Sequence, residues 1–114
     1  PTVIAGFSQG GILSASVGLS APHCVLGFGL FSGRILPELA PHIASAQALS
    51  SLSAFIAHGY GDNKLPVSWA QKADAWLHQL NVHHETYLYD MGHEITNEEV
   101  EDFIQWLKPV LNIA

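Results

Sequence analysis

The chain has 114 residues, 48% of them hydrophobic and only 12% charged, with a formal net charge of −6. That length holds one domain at most, four Lys+Arg leave no basic patch for nucleic acid, and the longest apolar runs fall short of a bilayer span. The single cysteine, Cys24, excludes an internal disulfide, fits the reducing cytoplasm, and reads as a small buried hydrophobe near a strand start. No charged n-region followed by an apolar h-region opens the sequence. A charge content near half the usual ~25% implies that part of the surface is covered by something else.

The first element is the β-branched, apolar run Thr2 to Ala5, the pattern of a buried parallel strand. Gly6-Phe7-Ser8-Gln9-Gly10-Gly11 follows, and Gln9 to Ser20 reads as a helix that ends at Ala21-Pro22. Gly6-x-Ser8-x-Gly10 thus falls on a strand-to-helix turn, the place of a nucleophile elbow; side chains at either glycine are expected to clash there. Val25 to Phe31 is a second strand, Ser32-Gly33-Arg34 a turn, and Ile35 to about Leu52 an irregular, Pro-punctuated stretch. Ser53 to His58 is a third strand closed by Gly59-Tyr60-Gly61-Asp62. Pro66 suits the first turn of a helix, and apolar residues at helical spacing continue until Asn81. A fourth strand, Glu85 to Tyr89, leads to Asp90-Met91-Gly92-His93. In the last helix Thr96-x-x-Glu99 is a capping box; Val100, Phe103, Ile104 and Leu107 form its apolar face, and Pro109 ends it. Alternating strands and helices predict a parallel sheet with right-handed crossovers and helices on both faces.

Reactive groups in such sheets sit past the carboxyl ends of strands. Ser8, Asp62 and His93 all fall there, in the order Ser, Asp, His of an α/β-hydrolase. A serine hydroxyl needs a histidine to take its proton, and a carboxylate on the far ring nitrogen fixes the tautomer. The N–H of Gln9, at the helix start, would donate to the oxyanion.

Four stretches resemble the phospholipase/carboxylesterase family of small α/β-hydrolases, which includes acyl-protein thioesterases. They are Gly6-Phe7-Ser8-Gln9-Gly10-Gly11, Phe31-Ser32-Gly33, His58-Gly59-x-x-Asp62 with Leu65-Pro66-Val67, and Met91-Gly92-His93-Glu94. The resemblance implies that Ser8, Asp62 and His93 are the triad. It also implies that residues 1–114 are the C-terminal half of an α/β-hydrolase fold, with about four parallel strands. The family's earlier strands and second oxyanion donor would lie upstream. The chain is then expected to pair with another chain or with a missing N-terminal half.

The expected substrate is a short or medium-chain ester or thioester, hydrolysed without a cofactor. Ile35, Leu36 and Leu65 are candidates to line an apolar acyl pocket, and Arg34 aside, no cluster of basic residues is evident to hold an anionic head group. An oligopeptidase-type hydrolase with a similar Ser–Asp–His order remains an alternative, as does a non-catalytic half-domain that only associates. Asp90 rivals Asp62 but lies too near His93 in the chain to reach its ring easily from behind. A zinc site at His93-Glu94 fails, because Asn97 replaces the second histidine of H-E-x-x-H. His58 is expected to order the Asp62 loop, while His78, His83 and His84 are expected at the surface. Glu98, Glu99, Glu101 and Asp102 read as a solvated helix face at the positive end of the dipole.

Overall fold

The computed structural model describes residues 1–113. Four strands, β1 (Val3–Phe7), β2 (Gly27–Phe31), β3 (Ser53–Gly59) and β4 (His83–Tyr89), pair in parallel in the order β1-β2-β3-β4. The helices are α1 (Gln9–Ser20), the short α2 (Ala46–Leu49), α3 (Ser68–Gln79) and α4 (Asn97–Val110). Sheet order equals chain order, so right-handed crossovers that all step one way place their helices on one face. The packing agrees. Phe28, Leu30, Ala54 and Ile56 of the sheet meet Ala15 and Leu19 of α1 and Ala70, Ala73 and Leu77 of α3 in one core. On the opposite face, Phe31, Phe55, Ala57 and Tyr89 pack with Phe103 and Trp106 of α4.

Each helix follows from its residues. α1 buries Gly11, Ser14, Ala15, Gly18 and Leu19, small groups at helical spacing that let it lie close to the sheet. Asn81, with φ 60°, closes α3 as the left-handed residue of a Schellman end, and the Val82 N–H reaches the Leu77 carbonyl at 2.9 Å. Thr96 and Glu99 form the expected capping box at α4.

α4 is rotated from its expected face. It buries Glu99 and Trp106 and half-buries Phe103 and Leu107, while Val100 and Ile104 remain 38% and 42% exposed. The cause lies in the sheet: β2 offers Gly27 and Gly29, and a Cβ on Gly29 would stand 2.9 Å from the Phe103 ring. Aromatic side chains fill that space, which turns Val100 and Ile104 sideways toward the β1 edge. Glu99 is therefore fully buried rather than part of a solvated face. Pro109 lies inside the last turn rather than ending the helix before it. Other boundaries shift too. The second strand begins at Gly27, because Pro22–Cys24 form a 3-10 turn, and this turn leaves Cys24 exposed instead of buried. β4 begins at His83, paired with Ser53. The Ile35–Leu52 stretch contains a 3-10 helix, Pro37–His42, and α2, which Ser45 caps.

Candidate active site

The registers Phe7↔Phe31 and Phe31↔Ala57 align the carboxyl ends of β1, β2 and β3 along one rim. Ladder-like bonds continue one residue past these ends, from Ser8 N–H to the Phe31 carbonyl at 2.8 Å and from Ser32 N–H to the Ala57 carbonyl at 2.9 Å. Ser8 has φ 58° and ψ −116°. This left-handed conformation strains a residue that carries a Cβ. The sharp turn around it needs two bare positions: a Cβ on Gly6 would run into the Gly10 backbone, and one on Gly11 would come within 2.7 Å of the Gly6 carbonyl. Gly10 is different from expectation, since a Cβ there would meet nothing within 4 Å. Gly6 and Gly11, not Gly10, keep the elbow tight.

His93 stands between the two groups that the sequence places at the rim. Its Nδ1 lies 2.7 Å from Asp62 Oδ2 and its Nε2 lies 3.1 Å from Ser8 Oγ. The carboxylate can only accept, so Nδ1–H donates to it and Nε2 is left to accept from the serine hydroxyl. The Phe7 ring packs at 4.7 Å from the imidazole, centroid to centroid, and limits its swing. Asp90, exposed, is not the partner.

Asp62 is buried and held from several sides. Its Oδ1 accepts the N–H groups of Lys64 at 2.9 Å and Leu65 at 2.8 Å. Burial raises its pKa, but the bonds from Leu65, His93 and Lys64 and the His93 charge outweigh it, so the carboxyl titrates below its usual value. His58, 1% exposed on β3, fixes the same loop. Its Nε2–H donates to the Leu65 carbonyl at 2.7 Å and lies 3.4 Å from Asp62 Oδ2. His84 is less exposed than the sequence suggests, because it bonds Asp74 at 2.9 Å.

Gln9 is the first residue of α1, where the N–H has no intrahelical carbonyl to meet and the helix dipole favours negative charge. Of the proposed lining residues, Ile35 is buried in the core with Ala15 and Leu19, so it can only back a pocket; Leu36 and Leu65 are half-buried. Open apolar space lies elsewhere. A cleft of about 200 Å³ is lined by Ala5, Gly6, Phe7, Phe31, Ile95 and Val100. None of its side chains is polar, and no local motif announces it, because its walls come from β1, β2 and the approach to α4.

The phospholipase/carboxylesterase family profile matches residues 1–111. The chain belongs to this family. Acyl-protein thioesterase 1 of Eremothecium gossypii is 32% identical over 112 residues, covering 96% of this chain and 47% of that protein. A probable SOBER1-like carboxylesterase of Arabidopsis thaliana is 32% identical over 106 residues, covering 92% and 40%. The crystal structure of Arabidopsis thaliana SOBER1 superposes with a TM-score of 0.83 at 27% identity, over 96% of this chain and 52% of that one. The Bacillus cereus carboxylesterase shares the fold with a TM-score of 0.80 at 23% identity. This chain spans about half the length of the relatives it matches.

Proposed function

We propose that the protein carrying this segment is a serine hydrolase of carboxylic esters or thioesters, with Ser8, His93 and Asp62 as its triad. The observation that carries the reading is the position of His93, 3.1 Å from Ser8 Oγ and 2.7 Å from Asp62 Oδ2. Ser8 Oγ attacks the carbonyl carbon while Nε2 of His93 takes its proton. Asp62 holds the ring and stabilises the imidazolium. The carbonyl oxygen becomes an oxyanion and accepts from the Gln9 N–H. Collapse expels an alcohol or thiol, which takes the proton from His93, and leaves an acyl-Ser8 ester. Water then attacks that ester with His93 again as base, releasing the acid and restoring Ser8.

One backbone donor at Gln9 is a partial oxyanion hole, and losing one donor costs on the order of 10²–10³ in rate. The second donor belongs to a chain that covers the β1 edge, either the other half of the fold or a second copy. The apolar, low-charge surface around β1 supports that assignment.

Ser8→Ala should lower turnover of p-nitrophenyl esters by on the order of 10⁴–10⁶-fold without unfolding the protein, and His93→Ala should come close to it, since triad members act as a unit. Asp62→Asn should lose about 10⁴-fold. Near wild-type rates in Ser8→Ala would exclude the serine as nucleophile.

A further inference from the structure

Two of the four Lys+Arg residues in this acidic chain converge on one aromatic ring. The Arg34 guanidinium carbon lies 4.5 Å from the centroid of the Trp69 ring, and Lys72 Nζ lies 4.5 Å from the same centroid. The two cations are therefore no more than about 9 Å apart, since each stands 4.5 Å from the shared centroid. No carboxylate among the described residues lies within 4.0 Å of either, although the chain has ten Asp+Glu. The acids of the adjoining loop and of α3 are engaged by other partners: Asp62 by His93 and His58, and Asp74 by His84 and Thr86. An indole face attracts a cation but does not neutralise it, so an unmatched positive pair is left.

Its location ties it to the rim. Arg34 follows Gly33, whose bare α-carbon sits against the elbow; a Cβ there would stand 3.1 Å from the Ser8 carbonyl. Trp69 opens α3 directly after the Asp62 loop, and its N–H bonds the Pro66 carbonyl at 3.0 Å. Lys72 lies one turn further along the same helix. A third cation, Lys64, is in the Asp62 loop itself. Arg34 and Trp69 are half-buried, which limits their rotamers, while Lys72 is exposed.

We infer that Arg34, Trp69 and Lys72 form an anion subsite beside the catalytic rim, and that the substrate is a carboxylic ester or thioester carrying a separate anionic group. The inference rests on the ester-hydrolase reading above. The Arg34 fork recognises a carboxylate or phosphate bidentately, Lys72 adds a mobile point charge, and Trp69 holds both in place. The anion sits either on the acyl chain or on the leaving group.

Four esters separate these cases in the protein that carries this segment: neutral p-nitrophenyl butyrate and neutral propyl butyrate, mono-p-nitrophenyl glutarate with its carboxylate on the acyl side, and the butyryl ester of 3-hydroxypropyl phosphate with its charge on the alcohol side. One anionic ester should exceed a neutral ester of the same leaving-group class in kcat/KM by about tenfold, equivalent to about 1.4 kcal/mol. That ratio should fall toward one in Arg34→Gln and Lys72→Gln, and should shrink with added salt. Binding gives a readout independent of turnover. In Ser8→Ala protein, monomethyl glutarate or 3-hydroxypropyl phosphate should change indole fluorescence saturably, methyl butyrate should not, and Trp69→Phe should remove the response. A selectivity ratio near one in the unaltered protein, or one unchanged by Arg34→Gln and Lys72→Gln, overturns the subsite. Absence of turnover of all these esters by the unaltered protein overturns the hydrolase reading instead, and the binding measurement then decides the subsite by itself.

Discussion

The two edges of the sheet are built differently. β4, at one edge, is finished by polar side chains. His84 and Thr86 bond Asp74 of α3 at 2.9 and 2.6 Å, Tyr87 donates to Glu85 at 2.7 Å, and Tyr89 donates to Asp102 of α4 at 2.7 Å. These pairings leave their mark on titration. The Thr86 bond leads the effects that hold Asp74 below its usual value, and burial followed by the Asp102 bond pushes the Tyr89 hydroxyl well up. β1, at the other edge, is Val-Ile-Ala-Gly-Phe and carries no polar side chain at all. Apolar groups stand uncovered on both sides of it: Leu13 and Val17 on α1, 66% and 43% exposed, and Ile95, Val100 and Ile104 at α4, 53%, 38% and 42% exposed. Mixed polar side chains along β4 discourage pairing with another strand, whereas an apolar, unpaired edge invites it. One edge has the character of a molecular boundary, and the other has the character that the proposed covering chain requires.

That contrast is open to attack by substitution. The largest effect should come from a charge at the β1 edge. Ala5→Asp or Ile104→Glu places an unpaired carboxylate where the covering chain should dock, an arrangement that costs about 3–5 kcal/mol. The unaltered chain should sediment above its monomer mass of 12.3 kDa, and either variant should weaken association by about 100-fold or more. A monomeric unaltered chain with full esterase activity would show that the edge needs no partner.

Glu99 sets the buried side of α4 against its exposed side. Burial raises this carboxyl from 4.5 to about 7, the Thr96 N–H pulls the other way, and Glu94 adds to the rise. Its Oε2 has no partner and is buried, which suits a protonated acid. Because the folded value is raised, the folded state binds the proton more tightly. The associated stability is fully present below pH 4.5 and is lost as pH rises through about 7. Glu99→Gln should remove this dependence, on the order of 2–3 kcal/mol between those limits, measured as the change in urea midpoint with pH. A profile as steep in Glu99→Gln as in the unaltered chain would contradict it.

The smallest effect belongs to the finished edge. Thr86→Val removes the hydroxyl that bonds Asp74 and should lower stability by about 1 kcal/mol, with association unchanged. A loss of association on this substitution would erase the distinction between the edges.

The sequence makes some of this visible and hides the rest for physical reasons. Strand and helix order is legible because the parallel strands are buried on both faces and read as apolar runs, Phe28 to Phe31 and Ala54 to Ala57 above all. Ser8, Asp62 and His93 stand out because each follows a strand end, and parallel strands carry their ends to a single rim. Properties that depend on what packs opposite are not legible. Val100 and Ile104 have the spacing of a core face, yet the vacancies above Gly27 and Gly29 drew Phe103 and Trp106 inward instead. Glu99 sits in an acidic run and gives no local sign of its burial. Arg34 and Lys72 approach the same Trp69 ring only because the turn after β2 and the start of α3 come together in the fold, which no local spacing in the sequence reveals.

A serine activated by His93 should react covalently with an electrophilic phosphonate, and Ser8 is the expected site. The protein carrying this segment is treated with a fluorophosphonate ester, and the adduct is located by mass spectrometry of its peptides. One adduct per chain on Ser8 is predicted, with none in Ser8→Ala and labelling slowed by orders of magnitude in His93→Ala. Labelling of Ser8→Ala at the unaltered rate, or an adduct mapped to another residue, would exclude Ser8 as the nucleophile.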